Sequence, residues 1–254
     1  DVYKRQILIT EDDDEVRCFL ERELSPHFKT RTAANGKDAL RVLEEEEISL
    51  VVSDVMMPEM NGFELCRMIK SQLPFSHIPV ILLTALTDER QRIFGITGGA
   101  DDYIQKPFHT DYVKIKIIHL LQERQKLRER LLEKLRDNKL LLSEPEKVES
   151  IDDAFLRKFA EQIEAVYADP EYNVEKLSET LGLSRGHLHR KIKELTGTAP
   201  VEFLRTYRLN KATQLLRQNA YTVSEVAYRT GFSSPAYFSK CFKAVYGVTP
   251  TEYQ

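Results

Sequence analysis

Ile48–Gly62, ISLVVSDVMMPEMNG, joins an apolar run to one acid, Asp54, and then to a loop closed by Pro58 and Gly62. A near-continuous apolar run bounded by turn residues predicts a strand covered on both faces by helices, as in parallel sheets. An ionisable side chain delivered to the end of such a strand marks Asp54 as a candidate site of chemistry. The surrounding chain repeats the pattern. Gln6–Thr10, QILIT, gives way to Glu11, Asp12, Asp13 and Asp14 and then to Val16, Phe19, Leu20 and Leu24 at helical spacing. Phe28–Ala33 reads as a second strand, and Asn35-Gly36 opens a helix with Ala39, Leu40 and Leu43 on one face. Phe63, Leu65, Cys66 and Ile69 mark a helix after the Asp54 strand. Ile78–Thr84 is the fourth strand, Arg90–Phe94 lies in the fourth helix, and Asp102–Gln105 is a short fifth strand. This alternation predicts an α/β fold, doubly wound about a parallel sheet, with ligands at the carboxyl ends of the strands.

A chain of 254 residues is longer than one core usually serves and predicts two domains. The net charge of −3 conceals an asymmetry: counted side chains give −6 for residues 1–120 and +7 for 181–254. The acidic half and the basic half therefore have different partners, and the basic half is compatible with a phosphate backbone. No apolar stretch approaches the ~20 residues a membrane helix requires, and no secretory signal is visible. Cys18, Cys66 and Cys241 show neither metal-ligand spacing nor a disulfide framework, so a cytoplasmic location is expected. With no initiator Met, Asp1–Gln6 reads either as a fragment edge, which implies sequence upstream, or as an expression remnant.

The strand ends supply one polar cluster: Glu11 and Asp12 after the first strand, Asp54 after the third, Thr84 after the fourth and Lys106 after the fifth. Magnesium favours oxygen ligands and is commonly held by one or two carboxylates plus a phosphate. Asp12 and Asp54 fit as ligands, with Glu11 acting through water. A carboxylate can also attack a phosphoryl group, which makes Asp54 the candidate nucleophile. Lys106 and the Thr84 hydroxyl can then meet the phosphoryl oxygens. Any one of these residues is equally at home on an ordinary loop; their occurrence at successive strand ends carries the reading.

EDDD after the first strand, SDVMMPEMNG, ILLTAL and GADDYIQKPF together resemble the receiver domain of two-component response regulators, over residues 7 to about 122. The resemblance implies a flavodoxin-like five-stranded sheet, Asp54 as phosphoacceptor, and Mg²⁺ held by Asp12, Asp54 and the Met56 carbonyl, with Glu11 helping through water. It implies that Thr84 and Lys106 contact the phosphoryl group and that Tyr103 is the aromatic switch residue that swings inward when Thr84 engages it. Read without the resemblance, Tyr103 is a packed edge-strand aromatic. The Lys106-Pro107 bond is expected to be cis, which proline permits. Thr10 departs from the aliphatic residue more usual in the family.

From His109 to Asn138 there is no Gly or Pro, and Ile117, Leu120, Leu121, Leu127, Leu131, Leu135 and Leu142 are threaded among charged residues. The last receiver helix is expected to run on into a linker, residues 123–150, as half of a two-stranded coil or as a single amphipathic helix. Ser143–Ser150, with Pro145, reads as its hinge.

Residues 151–254 contain a repeat. Val174, Gly182 and Leu183 overlay Val223, Gly231 and Phe232; Leu188, Ile192, Gly197 and Pro200 then overlay Phe238, Phe242, Gly247 and Pro250 at an offset one residue longer. Each copy, near 173–197 and 222–247, reads as a helix, a turn with Gly, and a second helix starting near a Ser, which is a helix-turn-helix pattern. The outward positions of the second helices are Gly186, His189 and Arg190 in one and Ala236, Ser239 and Lys240 in the other, spaced i, i+3, i+4. Arg190 can pair bidentately with guanine, and His189, Ser239 and Lys240 can reach base edges or phosphates. Arg185, Lys191, Lys193, Arg205, Arg208, Lys211 and Lys243 are candidates for phosphate contacts. GFSSPAYFSKCFKAVYGVTPTEYQ resembles the C-terminal signature of arabinose-regulator (AraC)-type transcription factors. That resemblance covers about 152–254 and implies an all-α double helix-turn-helix domain, both recognition helices in successive major grooves of double-stranded DNA, joined by a helix over Val201–Gln218. Gly186 departs from the bulky residue some members carry. Gln254 reads as a truncation.

Taken together, the resemblances imply a response regulator phosphorylated at Asp54 by a sensor histidine kinase, pairing as a homodimer on its operator, with RNA polymerase as a further partner. One alternative is the cytoplasmic tail of a hybrid sensor kinase. Another is an aspartyl-phosphate phosphotransferase, a class that usually carries a second acid two residues after the nucleophile, where this chain has Met56. The expectation is a regulator and not an enzyme that turns over an external substrate.

Overall fold

The computed structural model describes residues 5–85, 99–136 and 150–254, with side chains described for all of these except 130–136. The chain divides into two compact units, Asp1–Leu127 and Arg128–Gln254.

In the first unit, β1 (Gln6–Thr10), β2 (Lys29–Ala33), β3 (Leu50–Asp54), β4 (Val80–Thr84) and β5 (Asp102–Gln105) form one sheet in the order β2-β1-β3-β4-β5. Every pair is parallel. Side chains alternate across it. Leu8, Val51 and Leu82 enter a core with Ala39 and Leu43 of α2 (Gly36–Glu45) and Leu65, Cys66 and Ile69 of α3 (Gly62–Ser71). Ile7, Ile9, Leu50, Val52, Ile81 and Leu83 enter a second core. That core includes Leu20 and Leu24 of α1 (Asp14–Leu24) and Val113, Ile117 and Leu121 of α4 (Thr110–Arg136). Burying each such aliphatic side chain contributes about 1.5–3 kcal/mol, so covering both faces is what makes the apolar strands stable. Helix starts are fixed by side chains accepting from free N–H groups: Asp13 for α1, Asn35 for α2 and the Asn61/Glu64 capping box for α3.

The expected strands are found with small differences. β3 begins at Leu50 and β4 at Val80, after Pro79, whose nitrogen cannot donate to a ladder. The helix expected at Arg90–Phe94 lies outside the described residues, as does the hinge before Ser150. The receiver's last helix does continue past residue 122, to Arg136. Along its stripe Ile117 and Leu121 are buried while Leu127 is 46% exposed; Leu131, Leu135 and Leu142 lie outside the described side chains.

The second unit holds α5 (Ile151–Val166), α6 (Val174–Leu181), α7 (Arg185–Thr196), α8 (Pro200–Arg217), α9 (Val223–Arg229), α10 (Pro235–Tyr246) and α11 (Pro250–Tyr253). The repeat is visible in its packing: Leu188 and Ile192 of α7 and their counterparts Phe238 and Phe242 of α10 are all fully buried. Among the described residues no helix is long and apolar enough to cross a membrane.

Candidate functional site

The carboxyl ends of β1, β3, β4 and β5 lie at one edge of the sheet because the strands are in register there: Thr10 lies opposite Ser53, Asp54 opposite Leu83, and Thr84 opposite Gln105. Asp54 is buried, as are Glu11 and Thr84, while Asp12 is exposed. The Lys106 ammonium bridges two of the acids, 2.8 Å from Asp54 Oδ1 and 2.9 Å from Glu11 Oε2. It is carried there by its own backbone, whose N–H donates to the Thr84 carbonyl at 2.7 Å, and the following Lys106-Pro107 bond is cis. Asp54 is held from below: the Val55 N–H donates to Leu83, and the loop returns so closely that the Gly62 N–H donates to the Val55 carbonyl at 3.0 Å.

The electrostatics follow from that crowding. Burial pushes the Glu11 carboxyl above its ordinary range; hydrogen bonding to Lys106 opposes this, and the charges of Asp54 and Asp12 add to it. Burial works against the Lys106 charge, but the hydrogen bonds and charges of Asp54 and Glu11 outweigh it and raise its pKa. Among the described residues the three carboxylates of the cluster meet one ammonium, which leaves the site net negative. One oxygen from each of Glu11, Asp12 and Asp54 lies within 4.8 Å of the others, a hard-oxygen donor set suited in number and charge to a small dication. Met56, whose carbonyl is the further candidate ligand, lies on the same loop with its side chain exposed. Tyr103 lies opposite Leu82 and packs half-buried against the α2/α3 core, where burial raises its phenol pKa.

In the second unit the two second helices are built alike. The Ser184 hydroxyl accepts from His187 N at 3.2 Å to start α7, and Ser234 accepts from Tyr237 N at 3.3 Å to start α10. The preceding turns use Gly182 at φ 68° and Gly231 at φ 80°, with Leu183 and Phe232 buried behind them. The extra residue of the second copy falls between Phe232 and Ser234. Arg185, Gly186 and His189 of α7 are exposed and Arg190 is partly buried; on α10, Ala236 and Lys240 are exposed and Ser239 is partly buried.

Residues 7–118 match the family model described as response regulator receiver domain, and 177–254 match that described as helix-turn-helix domain. The chain carries a receiver domain of the response-regulator family and a helix-turn-helix module of the AraC type. It is 39% identical over 251 residues to Histidine kinase P4 of Formosa agariphila, an alignment that covers 99% of this chain and 18% of that relative. With transcriptional regulatory protein GltR of Pseudomonas aeruginosa it shares 43% over 122 residues, 48% of this chain and 50% of the relative. A solved structure, the signal receiver domain of a signal transduction histidine kinase from Syntrophus aciditrophicus, is 38% identical, covering 47% of this chain and 91% of that one at a TM-score of 0.45. The chain therefore spans half or less of the curated relatives named here.

Three cations expected at phosphates are instead engaged within the fold, Lys191 fully buried and Arg208 and Lys211 half-buried. Lys191 is fully buried, 2.6 Å from Asp152 and over the Phe155 ring. Arg208 donates to the carbonyls of Tyr167 at 2.7 Å and Asp169 at 2.6 Å, and burial lowers its pKa. Lys211 pairs with Glu164 at 2.8 Å and lies over the rings of Tyr167 and Tyr207. Each follows an apolar stripe by three or four residues, so the helix turns it inward and the fold supplies a partner. Arg185 stays exposed, paired with Glu175 at 2.7 Å. Two contributors were missed. Arg17 fixes the Glu11 backbone by donating to its carbonyl at 2.8 Å. Tyr237 is 52% exposed on α10, and its hydrogen bond is the first cause raising the Arg205 pKa.

Proposed function

We propose that the chain is a phosphorylation-controlled, DNA-binding transcription regulator in which Asp54 accepts a phosphoryl group from a sensor histidine kinase. The observation that carries this reading is the buried Asp54 carboxylate, bridged with Glu11 by one ammonium at a strand end, in a chain that also presents two Ser-capped reading helices. An Asp54 oxygen attacks phosphorus, the O–P bond forms as the P–N bond of a phosphohistidine breaks, and the electron pair leaves on the imidazole nitrogen. Lys106 then holds phosphoryl oxygens in place of the carboxylates it bridges now, and the buried Thr84 hydroxyl meets another. Asp12, Asp54 and the Met56 carbonyl would hold Mg²⁺, with Glu11 acting through water, and the bound ion would supply positive charge beside the phosphoryl oxygens. Tyr103, against the core beside β4, follows Thr84. The shift favours a homodimer, which sets two C-terminal units on adjacent half-sites.

On DNA, Arg190, His189 and Gly186 of α7 and Ala236, Ser239 and Lys240 of α10 face the bases, and Arg185 approaches phosphate once it exchanges Glu175 for it. Selection of duplexes from a random pool, with and without acetyl phosphate, tests the reading: one recurrent half-site repeated at fixed spacing under phosphorylating conditions is expected, and an unenriched pool contradicts it. On the selected duplex, Arg190→Ala is expected to weaken binding by about 1–3 kcal/mol, as loss of a bidentate base contact does. Unchanged affinity in a fluorescence anisotropy titration counts against that role.

A second reading is favoured by one observation. The match to a histidine kinase runs through both domains, over 99% of this chain, so the same two modules fit the receiver and DNA-binding segment of a hybrid sensor. Asp54 then takes its phosphoryl group from a kinase domain of the same polypeptide. Reading the coding sequence upstream of residue 1 decides: an in-frame kinase domain supports the hybrid, and a start codon adjacent to residue 1 sinks it.

A further inference from the structure

Helix α5 is the element the chain enters on leaving the linker, and both of its ends adjoin DNA-reading parts. At the entry, Ser150 and Asp153 form a capping box, with Asp153 N–H donating to Ser150 Oγ at 3.1 Å and Ser150 N–H to Asp153 Oδ2 at 3.3 Å. Between these two, Asp152 Oδ1 lies 2.6 Å from Nζ of Lys191, whose side chain has no exposure, and the ammonium stands 5.1 Å from the centre of the Phe155 ring. Lys191 belongs to α7, the first reading helix. Drawing a carboxylate away from a buried ammonium is unfavourable, so a shift of Asp152 pulls on α7. Along the middle, Phe159 meets Phe203 of α8 at 4.8 Å between ring centroids.

The far end is bonded to α8 and lies against the turn ahead of the second reader. The Tyr167 carbonyl accepts from Arg208 Nε at 2.7 Å, and a Cβ on Gly231, in the turn ahead of α10, would stand 2.1 Å from that oxygen. Glu164 accepts from Lys211 at 2.8 Å and from the Tyr207 hydroxyl. A helix held at both ends moves as a rod.

We infer that α5 is a transmission helix through which the linker sets the placement of both reading helices, and that the Asp152–Lys191 pair is the positioning contact for the first. This rests on the proposed function above, since it supposes that the receiver governs DNA binding.

The test uses the full chain, beryllofluoride with Mg²⁺ as the phosphoryl mimic, and a labelled duplex selected with the unsubstituted protein. The quantity read is the ratio of Kd without the mimic to Kd with it, and fluorine NMR of the bound mimic reports receiver loading separately. Asp152→Ala is expected to load the mimic normally and to lower the ratio by about fivefold or more, the lower end of ordinary couplings between sites. Asp152→Glu, which keeps the charge, is expected to restore it to within about twofold. The double variant Asp152→Leu/Lys191→Met replaces both charges of the pair by apolar groups, a change proteins often tolerate; it is expected to lose the response while remaining folded, and it decides the matter should Asp152→Ala not fold. A folded variant of either kind with an undiminished ratio overturns the transmission role alone. An unsubstituted chain that loads the mimic without any change in Kd overturns the regulatory reading on which the role rests.

Discussion

Asp54→Asn takes up no phosphoryl group from acetyl phosphate or from a partner kinase, and it unfolds as cooperatively as the parent chain. The carboxamide keeps the shape of the side chain but not the nucleophilic oxygen, so labelling falls by at least about 10⁴-fold, the scale seen when a reacting group is deleted. Stability is not sacrificed. The substitution removes one of the charges that raise the Glu11 carboxyl, and Lys106 retains Glu11 at 2.9 Å as a partner. A phosphate-affinity gel reads the labelling and a urea melt the stability. Chelating Mg²⁺ from the unsubstituted chain abolishes label in the same way. Label persisting in the variant assigns the nucleophile elsewhere.

Gly62→Ala damages both the fold and the site. A Cβ at residue 62 would stand 2.1 Å from the Asp54 carbonyl oxygen and 3.0 Å from both the Asp54 carbonyl carbon and Val55 Cα. All three are backbone atoms, so no rotamer change relieves the overlap; the loop from Asp54 to Gly62 must open. Overpacking of this kind costs about 3 kcal/mol, the upper end of its usual range. Because the loop that opens begins at Asp54, the labelling rate is expected to fall with stability. Denaturant melts that place the loss below about 1 kcal/mol, with an unchanged m-value, contradict the account of why a residue without a side chain stands there.

Much of this was legible in the sequence, for identifiable reasons. Strand ends announce themselves when an apolar run stops at a charge, and the parallel topology leaves those ends on one edge; Glu11, Asp12, Asp54, Thr84 and Lys106 are found there. The four successive acids of EDDD look alike in sequence but differ in the fold. Glu11 is buried in the cluster, Asp12 is exposed beside it, Asp13 caps α1 and Asp14 pairs with Arg17 in its first turn. The repeat was legible because both copies need a Gly at positive φ and a Ser cap at equivalent places. Placing Lys191, Arg208 and Lys211 at phosphates overlooked their spacing. Leu188, Lys191, Ile192 and Leu195 are spaced as one helical face, and three of the four are apolar; Leu204, Tyr207, Arg208, Lys211 and Ala212 follow the same rule. Periodicity places Lys191, Arg208 and Lys211 inward. Their partners Asp152, Glu164 and Tyr167 lie roughly 40 residues earlier in the chain, a distance at which local spacing carries no signal and only the tertiary fold decides.

The central claim is that a phosphoryl group on Asp54 changes how the C-terminal unit engages DNA. Anisotropy titrations of the full chain on its selected duplex, with and without acetyl phosphate and Mg²⁺, in parallel with Asp54→Asn, test it most directly. Phosphorylation is expected to tighten binding of the unsubstituted chain by about fivefold or more and to leave Asp54→Asn unchanged. Equal affinities in all four titrations, or the same tightening in Asp54→Asn, would contradict it.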